Sequence, residues 1–229
     1  MKIYVISDLH GNLDGLNPKG ADLVLVAGDF SRMSGWGPAY MGMQLYWVEE
    51  TFCKWCAKYP KTQFRVVPGN HDLFAEHADL VKTIDWPPNV KMLIDEADEV
   101  SGLKIYGSPW VPFINGYWAF EGKRPGLLKE RFAEVPEGLD VLLTHSPPRI
   151  EGSDIDMSLD TMSPHFGSKD LTEAIRRAKP RYVFCGHIHT GDHNPATISH
   201  ANGSTTIIRN VSRLDEDYKI RYDPFVFEV

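Results

Sequence analysis

The chain of 229 residues is 42% hydrophobic and 24% charged, and 24 basic against 31 acidic side chains leave a net charge of −7. These values predict one domain, residues 1–229, able to bury a core without disulfide staples. They exclude a polycationic surface that grips long nucleic acid, and no apolar run approaches the length of a membrane span. The first apolar run meets Asp8 too soon for a secretory signal, so a cytoplasmic protein is expected.

In chain order, residues 2–7, 22–27 and 64–68 are Val- and Ile-rich runs that predict strands. Helical spacing covers 40–58 and 76–83. This βαβ rhythm predicts an α/β protein with parallel strands buried on both faces. From residue 90 the rhythm changes. Residues 90–94 and 103–107, separated by a short acidic link, predict an antiparallel pair. Residues 140–144 and 181–185 resemble the first strands, with a helix over 169–178 between them, and 205–209 and 225–228 are closing strands. Residues 108–125 form an aromatic loop with Trp110, Phe113, Tyr117 and Trp118, and 146–168 a polar, proline-dotted one.

Cys53 and Cys56 sit among Met41, Leu45, Val48, Phe52 and Trp55, which recur at helical spacing. Residues three apart are neighbours on a helix, so both thiols are expected on or beside its buried face. A zinc site needs two further ligands at suitable spacing, and no second CxxC exists.

Five strand ends carry ligand chemistry: Asp8 with His10, then Asp29, then Asn70, His71 and Asp72, then His145, then His187 with His189. In an open α/β sheet the ligand site lies beyond the carboxyl ends of the strands, so these stretches can converge. Residues two apart in extended backbone share a face, so Asp8 with His10, and His187 with His189, are expected to point one way. Each cluster alone is ordinary turn chemistry; five on successive strand ends are not. Mixed imidazole and carboxylate donors suit Mn, Fe, Co, Ni or Zn better than Ca. The donors Asp8, His10, Asp29, Asn70, His145, His187 and His189 over-supply one divalent ion, whereas two ions sharing a carboxylate use them all.

In this order the blocks D-x-H, G-D, G-N-H-D, H and G-H-x-H resemble those of the calcineurin-like metallophosphoesterases, from Asp8 to His189. The resemblance implies a four-layer α/β/β/α sandwich. It implies that Asp8, His10 and His189 hold one ion, that Asn70, His145 and His187 hold the other, and that Asp29 bridges them. It also implies that His71 protonates the leaving group while Asp72 orients it. Two such cations lower the pKa of a shared water and clamp the oxygens of a displacement at phosphorus.

The stretch from Ile105 through Pro148 is similar to the metallophosphoesterase-domain-containing branch, whose members hydrolyse phosphodiesters, including 2′,3′-cyclic nucleotides. The expected activity is therefore hydrolysis of small phosphodiesters, with Mn²⁺ as the leading cofactor, and no membrane or long nucleic acid as partner. Arg32 is a candidate phosphate contact, and Trp110 and Trp118 are candidates for stacking on a base. Two alternatives remain open. One is a phosphomonoesterase or phosphoprotein phosphatase, from whose G-D-x-x-D-R-G block the segment GDFSRM departs. The other is a non-catalytic scaffold, against which the complete ligand set speaks.

Overall fold

The computed structural model describes residues 1–32, 35–150 and 166–229, so most of the expected loop 146–168 lies outside the described residues. Lys2–Ile6 (β1), Leu23–Ala27 (β2), Gln63–Val67 (β3) and Val90–Met92 (β4) run parallel in one sheet. Glu96–Val100 (β5), Leu103–Ser108 (β6), Val141–Thr144 (β7), Tyr182–Cys185 (β8), Ala196–Ser199 (β9) and Thr205–Asn210 (β10) form a second, in the order β5-β6-β7-β8-β10-β9. Phe225–Glu228 (β11) then returns to the first sheet, antiparallel to β1.

Pleat alternation builds the layers. Ile3, Val5, Leu23, Leu25 and Val67 point to one face of the first sheet and pack on Ile105, Val141, Leu143 and Phe184 of the second. Tyr4, Ile6, Val24, Val26, Phe64 and Val66 point to the other face, against Val48, Phe52 and Trp55. Those three belong to a helical run of Pro38–Trp47 (α1), a π-helical turn Val48–Cys53, and Lys54–Ala57 (α2). Leu73–Glu76 forms a 3₁₀ turn before Ala78–Val81 (α3). Beyond the second sheet, Leu127–Ala133 (α4) and Lys169–Ala178 (α5) cover Tyr106, Leu142, Val183 and Ile208. Two sheets face each other with helices outside both, the four-layer α/β/β/α sandwich expected.

The structure corrects one expectation. The run at 90–94 pairs not with 103–107 but with β3, in parallel, and the acidic link is itself β5, antiparallel to β6. Its carboxylates are anchored rather than loose: Asp98 takes the Arg65 guanidinium and Lys91 together. Cys53 and Cys56 are both buried, as their helical spacing predicts. Among the described residues no helix is long and apolar enough to cross a membrane.

Candidate metal centre

The carboxyl ends of β1, β2, β3, β7 and β8 meet where the two sheets abut, and the seven expected donors converge there. Within one group Asp8, His10 and His189 bring ligand atoms within 4.8 Å of one another; Asp29, His145 and His187 form a second such group. Asp29 also joins His10 and His71 in a third, so it lies between the other two. His145 Nε2 is 3.2 Å from an Asp29 oxygen and 3.0 Å from Asn70 Oδ1. His10 Nε2 and His189 Nε2 face each other at 3.3 Å.

Convergence does not come from the strand pleat. Asp8, His10, Asp29 and His187 all have φ between 43° and 71°, in the left-handed region. The paired ligands are aimed by tight turns after the strands end, which corrects the expectation that extended backbone aligns them. Such backbone costs free energy for non-glycine residues and persists where surrounding structure holds it, as at functional sites. Close approach does the rest. A Cβ on Gly69 would overlap the Asp29 carboxylate, and one on Gly186 would overlap Ser7 and the Asp8 carboxylate. The glycines of the G-N and G-H blocks thus leave room for ligands from neighbouring strands.

Hydrogen bonds orient the donors. His145 Nδ1 lies 2.9 Å from the Ala27 carbonyl and His189 Nδ1 lies 2.9 Å from the Asp215 carbonyl, which leaves each Nε2 facing the carboxylates. Asp8 accepts from the His187 amide and the Ser212 hydroxyl, and Asp29 Oδ1 accepts the His71 amide at 2.7 Å. Metal-binding histidines are held in this way, with the second ring nitrogen fixed by a backbone carbonyl.

The titration behaviour matches a cation site. Burial disfavours the charged ring at His10 and His187 and holds them down to about 4 and about 3, despite nearby carboxylates. Burial opposes charge at His145 and His189 too, but Asp29 beside the first and Asp8 beside the second outweigh it and hold both up to about 9. Asp8 and Asp29, wholly buried, are in turn kept well below the ordinary carboxylate range by those rings. Two buried carboxylates demand positive charge in this pocket. Divalent cations held by the same atoms would supply it in place of the protons. The donor set therefore fits two transition-metal ions.

Other residues fall differently. The Asp72 carboxylate accepts from the amides of Gly69 (2.7 Å), Ser31 (2.8 Å) and Phe30 (3.3 Å) and from the Ser31 hydroxyl. The His71 ring is not among these partners, so Asp72 fastens the GNHD turn to the chain after β2 and does not hydrogen-bond the ring it was expected to orient. His71 instead packs tilted against Trp118, ring centroids 4.1 Å apart, and meets His10 edge-on, with Nε2 3.9 Å from Asp29.

Of the expected substrate contacts, Trp118 and Arg32 border the centre. Trp110 lines neither cleft there: its indole N–H donates to Asp95 at 2.6 Å, Arg131 covers its ring and Phe120 packs edge-on. The aromatic loop is thus split, since Phe120 is core while Phe113 and Tyr117 are 59% and 76% exposed. Two clefts open onto the centre. One, of about 280 Å³, includes Asn70, Ile114, His187, His189, Glu216 and Tyr218; the other, of about 510 Å³, includes His10, Asn12, Arg32 and Trp36. Both share His71, Trp118 and Tyr218. Trp36 and Tyr218 were not legible in the sequence, where each is a single aromatic residue without a motif.

Residues 1–191 match the family profile of calcineurin-like phosphoesterases, and the chain belongs to that family. Metallophosphoesterase domain-containing protein 1 of Homo sapiens is 30% identical over 251 residues, covering all of this chain and 71% of its own length. A UPF0046 protein of Caenorhabditis elegans is 28% identical, covering all of this chain and 81% of its own. Among solved structures, one superposes with a TM-score of 0.61 at 18% identity, covering 98% of both chains. Phosphopantetheinyl hydrolase of Mycobacterium tuberculosis superposes with a TM-score of 0.53 at 16% identity, covering 92% of this chain and 88% of its own. These structures share the fold.

Proposed function

We propose that the protein is a phosphodiesterase dependent on two divalent metal ions, with Mn²⁺ as the leading candidate, acting on small diesters that include 2′,3′-cyclic nucleotides. The observation that carries the diester reading is the pair of clefts meeting at one donor cluster and sharing His71, Trp118 and Tyr218. An open-chain phosphodiester has two arms, one for each cleft, whereas a 2′,3′-cyclic nucleotide carries both ester oxygens on one ribose and seats its base in one of them. A phosphomonoester has one arm and a dianionic phosphate that calls for extra cationic side chains. Among the described residues lining the clefts, Arg32 is the sole Lys or Arg, on the rim.

When bound, the cations supply Lewis-acid charge at the phosphoryl oxygens and an activated water. Asp8, His10 and His189 would hold one, Asn70, His145 and His187 the other, with Asp29 between them. His71 stands at the junction of the clefts, where its Nε2 can protonate the departing oxygen. Trp118, packed tilted against His71, fixes that ring and offers a surface for a base or aryl group. A net charge of −7 favours a small substrate over a nucleic-acid polymer.

The test compares bis(p-nitrophenyl) phosphate, 2′,3′-cyclic AMP and p-nitrophenyl phosphate on Mn²⁺-loaded protein. Higher kcat/KM for the diesters is expected. The reverse order makes the protein a monoesterase, and no turnover of any ester leaves the scaffold.

A further inference from the structure

Helix α1 inverts the usual arrangement of a surface helix. Its sequence, PAYMGMQLYW, has no charged residue, and its one amide, Gln44, is buried, donating to the His71 carbonyl and accepting from the Phe74 amide. The side away from the core carries Tyr40, Met43 and Tyr46, with Met43 54% and Tyr46 69% exposed. A surface helix ordinarily presents polar side chains there, and a helix apolar all round is ordinarily buried. Exposed apolar surface of this kind marks a binding face.

That face is shaped. A groove of about 380 Å³ is lined by Arg32, Ala39, Gly42, Met43, Tyr46 and Trp47. Ala39 and Gly42, three residues apart and so neighbours on the helix, add almost no side-chain bulk, whereas Met43, Tyr46 and Trp47 border the space with apolar surface. Volume and lining are those of a ligand site with a single charged group to orient its occupant. The groove also adjoins the metal centre: Arg32 borders both it and the cleft that holds His10 and His71.

We infer that this groove holds one arm of the phosphodiester substrate, and that the arm is an apolar chain. The inference rests on the diesterase reading above and adds amphiphilic diesters to the substrates named there, with phosphate at the metal centre and an alkyl or acyl chain running past Arg32 along α1. α1 offers the arm apolar surface and no charge, which suits a hydrocarbon chain and gives a polar sugar little to bond. The net charge of −7 speaks against docking of this face on an anionic bilayer.

The experiment uses a series of alkyl p-nitrophenyl phosphates, methyl to octyl, held below their aggregation concentrations. On wild-type protein kcat/KM is expected to rise about twofold per methylene, half of the roughly fourfold that complete burial of each CH₂ gives. Gly42→Leu fills the groove. The position has no left-handed φ, and a Cβ there meets nothing within 4 Å, so the variant is compatible with the helix. It is expected to lower the octyl-to-methyl ratio of kcat/KM about tenfold, the methyl ester serving as reference within each protein. Calorimetric titration with octyl(methyl)phosphinate and dimethylphosphinate, in which P–C bonds replace both ester linkages, reads the groove without turnover, so a protein that cleaves no diester loses the reaction while the groove is still decided. Equal affinities for the two phosphinates overturn the inference, as does a ratio unchanged in Gly42→Leu. Binding of wild-type protein to phosphatidylcholine vesicles with no chain-length preference assigns the face to a lipid surface instead and also overturns it.

Discussion

The strand-end wall of the metal centre and its aromatic mouth are built on opposite principles. In the wall, Asp8 and His145 are fully buried and Asp29 is 2% exposed. Each is held by backbone groups or adjoining ligands, with glycines cut back so that carboxylates can sit against the chain. In the mouth, Trp36 and Tyr218 are 45% and 54% exposed and touch their neighbours ring to ring. The wall defines one geometry and tolerates almost no change. The mouth presents surface that can be exchanged. On the function proposed above, chemistry belongs to the wall and substrate choice to the mouth, and mutations on the two sides should separate accordingly.

The largest effect is expected at Asp29. Its carboxylate lies within reach of His10, His71 and His145 at once, so Asp29→Asn removes charge from both halves of the centre. Turnover should fall to background, as it should in wild-type protein stripped by a chelator, where added Mn²⁺ restores it. Elemental analysis of the purified proteins checks that metal content falls in step. Full activity in a verified metal-free sample would falsify a metal-dependent mechanism.

His71 stands between wall and mouth, and comes next. General acid catalysis contributes about 10²–10⁴-fold, so His71→Ala should lose activity in that range on esters with poor leaving groups. Activated aryl esters should suffer much less, and both cations should stay bound. Loss of a cation would make His71 a ligand, a role its place beside His10 and Asp29 permits.

The same division explains what the sequence makes legible. Asp8, His10, Asp29, Asn70 and the three later histidines can be read because donor residues recur after five strands in the order of the family's blocks, although each cluster alone passes for turn chemistry. Strands β1 to β3 are legible because β2 is wholly apolar and buried on both faces, β1 is so after Lys2, and β3 ends in the buried pair Val66 and Val67. Strand β5, EADEV, was hidden because it is an edge strand whose carboxylates face lysine, arginine and solvent, a pattern that reads as a link. The seven-residue α4 was too short for its spacing to register, and β9, ATIS, too short and polar. Asp72 shows a different limit. A resemblance carries residue identity, but its hydrogen bonds to Gly69, Phe30 and Ser31 depend on how the turn closes. Tyr218 and Trp36 are brought to the centre by loops alone, so no periodicity announces them.

Within the mouth the sharpest contrast lies between two tryptophans of one loop. Trp118→Ala should raise KM for a 2′,3′-cyclic nucleotide roughly tenfold, since losing about 1.4 kcal/mol of stacking accounts for that factor. Trp110→Phe should leave KM alone. It removes the indole N–H from Asp95, a half-buried group that keeps its bond to Ser108, and should cost about 1–2 kcal/mol of folding stability. Denaturant unfolding and steady-state kinetics on both variants decide the matter. A KM effect from Trp110 equal to that from Trp118 would erase the distinction between them.

The smallest effect should come from Tyr218, where backbone and ring can be tested apart. Its φ of 59° is left-handed, unusual for a bulky side chain, and a tight turn holds it there. The Tyr218 amide donates to the Asp215 carbonyl, while the amides of Asp217 and Lys219 donate to the Asp215 carboxylate. The same Asp215 carbonyl meets His189 Nδ1, so the turn that strains Tyr218 also positions a metal ligand. The ring lies edge-on to His10 and His189 at 4.9 and 5.4 Å. Tyr218→Ala removes the ring but leaves a Cβ in left-handed backbone; Tyr218→Gly removes both. Relief of that conformation is worth about 1 kcal/mol, partly offset by the greater freedom of glycine in the unfolded chain. The glycine variant is thus expected to be at least as stable as the alanine variant, while both raise KM by the same few-fold factor. A KM rise in Tyr218→Gly alone would mean that rigid backbone, rather than the aromatic surface, is what this side of the mouth contributes.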